Sequence, residues 1–213
     1  MVNRPFLDPE LTDADGLVGL GGDLSPTRLL EAYCRGIFPF FDETTPVLWW
    51  SPDPRAIFEL DAFHVSRRLS RTLRSGRFKV TIDKAFDEVI RSCADRPGQG
   101  VWITPDMIEA YTALHRLGWA HSVEAWCDGE LGGGVYGVAI GGLFAGESMF
   151  TRIRDGSKAA LAHLVERLRA GGFQLFDVQY LNEHTASLGA VEVPRAAYLA
   201  RLRAALSCKA TFV

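Results

Sequence analysis

The sequence predicts a mixed α+β fold, with a small N-terminal domain over residues 1–60 and a larger α+β domain over residues 61–213. Three observations carry this prediction. First, Asp128-Gly129 separates two β-rich runs, Ala120 to Cys127 and Leu131 to Ile140, the pattern of an antiparallel hairpin. Second, a strand–helix–strand unit follows, formed by Leu143 to Phe150, Ser157 to Ala170 and Phe173 to Tyr180. Third, the chain before residue 60 carries one helix signal and then extended, Pro- and Trp-rich segments. The 213 residues are 47% hydrophobic and include 13 Phe and five Trp, enough apolar surface for burial to hold a core.

Taken in order, Gly16-Leu-Val-Gly-Leu-Gly-Gly-Asp23 fits neither G-x-G-x-x-G nor a P-loop, and reads as a turn. Ser25-Pro26 opens a helix, because Ser caps well and Pro suits the first turn; Gly36 stops it. Gly36 to Phe41 and Pro46 to Arg55 are extended, since prolines and paired Trp do not suit a long helix. Ser66 to Gly76 reads as a short basic helix, Phe78 to Ile82 as a strand, and Lys84 to Cys93 as a helix. Thr104-Pro105 starts a helix that ends at Gly118. In the helix from Ser157, Leu161, Leu164, Val165 and Leu168 share one face. A last helix opens at Pro194.

Composition excludes several classes. The net charge of −3 rules out a basic field over the whole protein, so any nucleic-acid contact must use a local patch. Cys34, Cys93, Cys127 and Cys208 form no C-x-x-C unit and have no metal-ligand spacing, which points to free thiols in a reducing, cytoplasmic compartment and to no metal. Met1 to Asp15 is acidic without an apolar stretch, unlike a signal or transit peptide. The longest uncharged run, Leu131 to Gly146, falls short of the roughly 20 apolar residues needed to span a bilayer. No membrane partner is expected.

Five groups of residues bear on chemistry. Arg67, Arg68, Arg71, Arg74, Arg77 and Lys79 lie within Ser66 to Lys79, a segment without an acid. On a helix, Arg67, Arg71 and Arg74 share a face, which makes either a phosphate-binding stripe or a solvated helix surface. On the strand Phe173 to Tyr180, Asp177 and Gln179 project to one side by the period of two, as a substrate-holding pair or as a polar strand end. Glu147 is the sole charge between Leu131 and Phe150, so it is either a site carboxylate or a buried one bonded to backbone. His184, Ser187 and Asp177 make a triad only on paper, because no G-x-S-x-G elbow surrounds Ser187. Arg152 to Lys158 precedes a helix whose N-terminus suits phosphate, yet it does not match a coenzyme A pyrophosphate loop.

Gly19-Leu-Gly-Gly-Asp-Leu-Ser-Pro26, Tyr33-Cys-Arg-Gly-Ile-Phe-Pro39, Leu48-Trp-Trp-Ser-Pro-Asp-Pro-Arg55, Trp102-Ile-Thr104, Gly146-Glu-Ser-Met-Phe150, Asp177-Val-Gln179 and Leu181 to Gly189 occur in one order from about residue 16 to 200. In these strings the chain resembles the bacterial leucyl/phenylalanyl-tRNA–protein transferases. The resemblance implies a C-terminal domain of the GCN5-related acyltransferase (GNAT) fold. It implies leucyl-tRNA or phenylalanyl-tRNA as donor, with methionine also accepted, and acceptor proteins beginning with Arg or Lys. The product is marked for degradation through the N-degron pathway. Neither a metal nor any other cofactor is implied, and a monomer is expected.

Residue by residue, the resemblance makes Asp177 and Gln179 the catalytic pair, with Gln179 accepting a hydrogen bond from the attacking amine. Asp177 is then expected to orient Gln179 and to stabilise the developing ammonium. Glu147 falls near the aminoacyl group, and Val135, Phe144, Leu161, Leu164, Leu168 and Phe176 fall on the apolar pocket wall. Phe40, Trp102 and Asn182 fall among the substrate contacts, and the basic run becomes the tRNA-binding stripe. Several family members have Met at the Val135 position, Phe at those of Leu164 and Leu168, and Trp where Phe40 stands; the substitutions here keep the pocket apolar. On residues alone two other classes stay open: a GNAT-like acyltransferase with another acyl donor, and a non-catalytic RNA-binding module. The first lacks its loop fingerprint, and the second leaves Glu147 and the Asp177/Gln179 pair without a purpose.

Overall fold

The computed structural model describes residues 5–95 and 102–212, so the first four residues of the acidic N-terminal stretch lie outside it. Ten strands are described: β1 (Leu17–Leu20), β2 (Phe38–Pro39), β3 (Leu48–Trp50), β4 (Arg55–Phe58), β5 (Lys79–Ile82), β6 (Ala120–Cys127), β7 (Glu130–Ile140), β8 (Leu143–Thr151), β9 (Leu175–Gln179) and β10 (Ala190–Val193). Seven helices accompany them: α1 (Pro26–Cys34), α2 (Arg67–Arg74), α3 (Phe86–Ala94), α4 (Pro105–Arg116), α5 (Gly156–Ala170), α6 (Glu183–Ala186) and α7 (Arg195–Leu206). The fold is mixed α+β with a small N-terminal piece. No described helix is long and apolar enough to cross a membrane.

The helix starts follow local chemistry. Ser25, Ser66 and Thr104 each accept, through the side-chain oxygen, a hydrogen bond from the backbone N–H three residues on, satisfying a donor that the first turn leaves unpaired. Asp128 and Gly129 both take positive φ between β6 and β7, as a two-residue hairpin turn of the right twist requires. The Gly16–Asp23 stretch, expected as a turn, contains β1. Its Leu17, Gly19 and Leu20 pair with β3, and Val18, at the irregularity between Leu17 and Gly19, is buried.

A three-stranded antiparallel sheet, β1-β3-β2, forms the N-terminal piece. The main sheet runs β10-β4-β9-β8-β7-β6-β5. β4, on the N-terminal side of residue 60, is an interior strand of this main sheet, paired with β9 and β10. All neighbours are antiparallel except β8 and β9, which α5 connects. These two parallel strands pair only from Leu143 to Ala145 and from Leu175 to Asp177, whereas β8 continues to Thr151. The sheet therefore splays beyond Ala145, and the gap positions the site.

Three apolar clusters hold the layers. Phe86, Val89, Met107, Tyr111 and Leu114 of α3 and α4 join the core of the N-terminal piece. Leu161, Leu164, Val165 and Leu168 of α5 pack on Val123, Val135, Phe144 and Phe176. Tyr198, Leu199 and Leu202 of α7 cover Ile57, Leu143 and Leu175. The start of α5 lies so close to β7 that a Cβ on Gly133 would come within 2.4 Å of the Gly156 carbonyl carbon, so neither position has room for a side chain.

Candidate active site

The splay between β8 and β9 opens into a cleft of about 150 Å³. Val135, Met149, Leu161, Phe176 and Val178 give it an apolar wall. Glu147, Gln179, Asn182 and Thr185 give it a polar lip, and Trp102 closes one side. Phe40, 42% exposed, stands at the rim with its ring 5.3 Å from that of Trp102 and 6.4 Å from that of Tyr180. Of the expected pocket wall, Val135, Leu161 and Phe176 reach the cleft. Phe144, Leu164 and Leu168 are buried in the core layer behind it.

Gln179 owes its aim to an irregularity in β9. Between the register pairs Ile57–Asp177 and Ala56–Gln179, β9 carries one extra residue, Val178, and Gln179 adopts φ of 59°. A bulge followed by a left-handed residue re-aims a side chain, at a cost of about 1–2 kcal/mol for the non-glycine backbone. Gln179 Nε2 donates to Glu147 Oε1 at 3.2 Å. With its amide nitrogen held there, Gln179 lines the cleft beside Glu147.

Asp177 sits behind this lip rather than on it. Its side chain is 1% exposed, and Arg55 grips it with two hydrogen bonds, Nε to Oδ1 at 2.9 Å and Nη2 to Oδ2 at 2.6 Å. The Tyr198 hydroxyl donates to Oδ2 and the Gln179 backbone N–H to Oδ1, at 2.9 and 3.0 Å. With four donors converging on it, the Asp177 carboxylate is held in the interior and grips Gln179 through its main-chain N–H. Burial works against the Arg55 charge, but the neighbouring carboxylate outweighs it and holds the guanidinium firmly protonated. Arg55 Nη1 also donates to the Gly36 carbonyl, and Phe38 and Tyr198 lay their rings over the guanidinium.

Glu147 is the group most altered by its surroundings. Burial pushes its carboxyl up to about 7, while hydroxyls of Tyr33 and Tyr111 hold it lower than burial alone would. Tyr111 donates to Glu147 Oε2 at 3.1 Å and shares a short hydrogen bond with Tyr33. Both phenols are driven up by burial and by the Glu147 charge, so they stay protonated. The N-terminal piece thus supplies Tyr33 and Gly36, and β4 supplies Arg55, to a lip carried by β8 and β9. The sequence reading missed Arg55, Tyr33, Tyr111, Tyr198, Met149, Val178 and Thr185. Only Tyr111 and Tyr198 stood outside the quoted strings, and nothing in those strings told of the long-range partners.

The remaining candidates fall elsewhere. Ser187 donates to the backbone carbonyl of His184, and Asp177 is committed to Arg55, so no triad forms. Asn182 accepts the Thr185 N–H and caps α6. The first turn of α5 is served by the protein itself: the Ser157 N–H donates to Thr151, and Asp155 is held by a two-bonded Arg68. On α2, Arg67, Arg71 and Arg74 are exposed while Leu69 is buried, and Arg77 and Lys79 continue the exposed cations into β5. Among the described residues no cluster of three His, Cys, Asp or Glu side chains converges.

An apolar slot thus ends on a paired amide and carboxylate, set in the splay of a mixed sheet. The family model for leucyl/phenylalanyl-tRNA protein transferase matches residues 57–203, and that for the family's N-terminal domain matches residues 22–53. The chain belongs to this family. It is 56% identical over 204 residues to the leucyl/phenylalanyl-tRNA–protein transferase of Anaeromyxobacter sp. (strain Fw109-5), covering 94% of this chain and 87% of that one. It is 53% identical over 196 residues to that of Escherichia coli O7:K1, covering 91% and 84%. Among solved structures it is similar to L-PGS from Bacillus licheniformis, with TM-score 0.42 and 16% identity over 78% of this chain and 55% of the other.

Proposed function

We propose that this chain transfers leucine or phenylalanine from its tRNA to the N-terminal amine of an acceptor protein through the lip formed by Gln179 and Glu147. The aminoacyl ester is already activated, so amide formation needs no further energy source. What the site must supply is position, because holding amine and ester carbonyl together removes much of the barrier. The apolar slot receives the donor side chain, and Leu, Phe and Met all satisfy it. The amine, with a pKa of about 8, attacks in its neutral form. Its N–H donates to the Gln179 carbonyl oxygen as the C–N bond forms. The C–O bond to the ribose then breaks, and the ribose 3′-oxygen leaves as a hydroxyl, taking up the proton the amine releases. The amide oxygen of Gln179 is too weak a base to keep that proton and serves to orient the amine. Glu147, close enough to bond Gln179, also receives the donor's own α-amine. Asp177 and Arg55 act from behind as positioning residues.

The acceptors in this reading begin with Arg or Lys, the enzyme acts in the cytoplasm as a monomer, and α2 with Arg77 and Lys79 holds the acceptor stem by its phosphates. The observation that carries the reading is the contact between Gln179 and Glu147 at the end of the apolar slot. The test is to mix the protein with radiolabelled leucyl-tRNA and an Arg-initiated peptide, with free leucine and acetyl-coenzyme A as control donors. Label should enter the peptide from leucyl-tRNA alone. Unlabelled peptide, or labelling from acetyl-coenzyme A, overturns the proposal.

A further inference from the structure

A second hollow, of about 390 Å³, lies at the outer edge of the main sheet between β5 and the β6–β7 turn. Arg77, Lys79 and Lys84 bring three exposed cations to it, against one acid, Asp128. Among the described residues none of the three cations has an ion-pair partner. Trp126 forms a wall. Its indole N–H donates to Thr81 Oγ1 at 2.7 Å, and Thr81 donates to the fully buried Glu124. The ring is therefore fixed, packed on the α3–α4 core on one side and lining the hollow on the other. A fixed indole beside unpaired cations is the combination that stacks an unpaired base and holds its phosphates.

Its place in the fold supports this. Met149 in the cleft is in register, through Val135 and Val123, with Ile82 of β5, three strand steps or about 14 Å away. Lys79 lies three residues along β5 from Ile82, about 10 Å further. The separation in the sheet is thus about 17 Å, or about five stacked nucleotides and fewer when the strand is extended. The chain leaving α2 runs through Ser75 and Gly76 directly into Arg77, so the basic helix leads to the hollow.

We propose that this hollow is a nucleotide subsite for the donor tRNA, in which Trp126 stacks the base where the unpaired 3′ end leaves the acceptor stem and Arg77, Lys79 and Lys84 hold the adjoining phosphates. The proposal rests on the tRNA-dependent reading above. It is tested with Trp126→Leu and Lys84→Ala, using two probes: an uncharged RNA minihelix with an unpaired 3′ end, and 3′-leucyl-adenosine, a donor too short to reach the hollow. In Trp126→Leu the minihelix Kd should rise at least fivefold, as loss of a stacked base does. In Lys84→Ala the salt dependence of minihelix binding should lose about one unit of slope. The KM for 3′-leucyl-adenosine should stay at the wild-type value in both. An unchanged minihelix Kd in Trp126→Leu, or an equal loss with both probes, overturns the subsite. If Trp126→Leu fails to fold, an unchanged salt slope in Lys84→Ala, whose side chain is exposed, overturns it alone. A wild-type protein that binds the minihelix yet labels no acceptor peptide would strike the transfer reading and leave the subsite to be judged on Kd.

Discussion

Glu147→Gln should make the protein more resistant to unfolding above neutral pH while weakening its hold on the donor. Burial moves this carboxyl from 4.5 to about 7 in the folded protein. The unfolded chain titrates near the lower value and the folded chain near the upper one, so between them the folded protein holds the extra proton. The stability that Glu147 contributes is therefore full below pH 4.5 and is lost as pH climbs to 7. The complete loss corresponds to about 3 kcal/mol, and the partial exposure of Glu147 at the cleft trims it toward about 2 kcal/mol between pH 5 and pH 8. Glutamine carries no charge and lacks this loss. The assay is urea unfolding of both proteins at pH 5 and pH 8, taking the difference of differences so that every other titrating group cancels. The variant should lose about 2 kcal/mol less than the wild type between the two pH values, and its KM for leucyl-tRNA should rise because the donor α-amine loses its carboxylate. Parallel stability curves would refute the buried charge, and an unchanged KM would refute the amine contact.

Four further outcomes follow from the same geometry. Arg55→Met should cost about 3–5 kcal/mol in thermal unfolding, because Asp177 is left as an uncompensated buried charge, and Arg55→Met with Asp177→Leu should recover most of that loss. Gln179→Asn tolerates the left-handed backbone but is too short to reach Glu147, so kcat should fall at least tenfold with little change in donor KM. Met149→Phe narrows the slot and should shift kcat/KM toward leucine over phenylalanine by about 1–3 kcal/mol, read by competition between the two charged tRNAs. Arg71→Glu with Arg74→Glu should weaken leucyl- and phenylalanyl-tRNA binding alike and lower the salt slope by about two, seen in filter binding at several salt concentrations.

What was legible in the sequence follows the range of the forces involved. Caps at Ser25, Ser66 and Thr104, the Asp128-Gly129 turn and the apolar face of α5 are contacts between residues a few positions apart, and each appears where its pattern stands. β10 and the interior place of β4 were not legible, because four-residue strands carry too few alternations and their partners lie far along the chain. The site divides in the same way. Isolation of Glu147 among apolar residues announced a perturbed carboxyl, and the structure places it beside Gln179. Strand alternation, by contrast, put Asp177 and Gln179 on one side, and it fails because the bulge at Val178 and the positive φ of Gln179 break the period of two. That break separates the roles of the pair. One member, Gln179, lines the cleft, while the other is locked to Arg55, 122 positions away in the chain, and to Tyr198. A residue pattern can nominate both side chains, but only a long-range partner decides which of them is free to act.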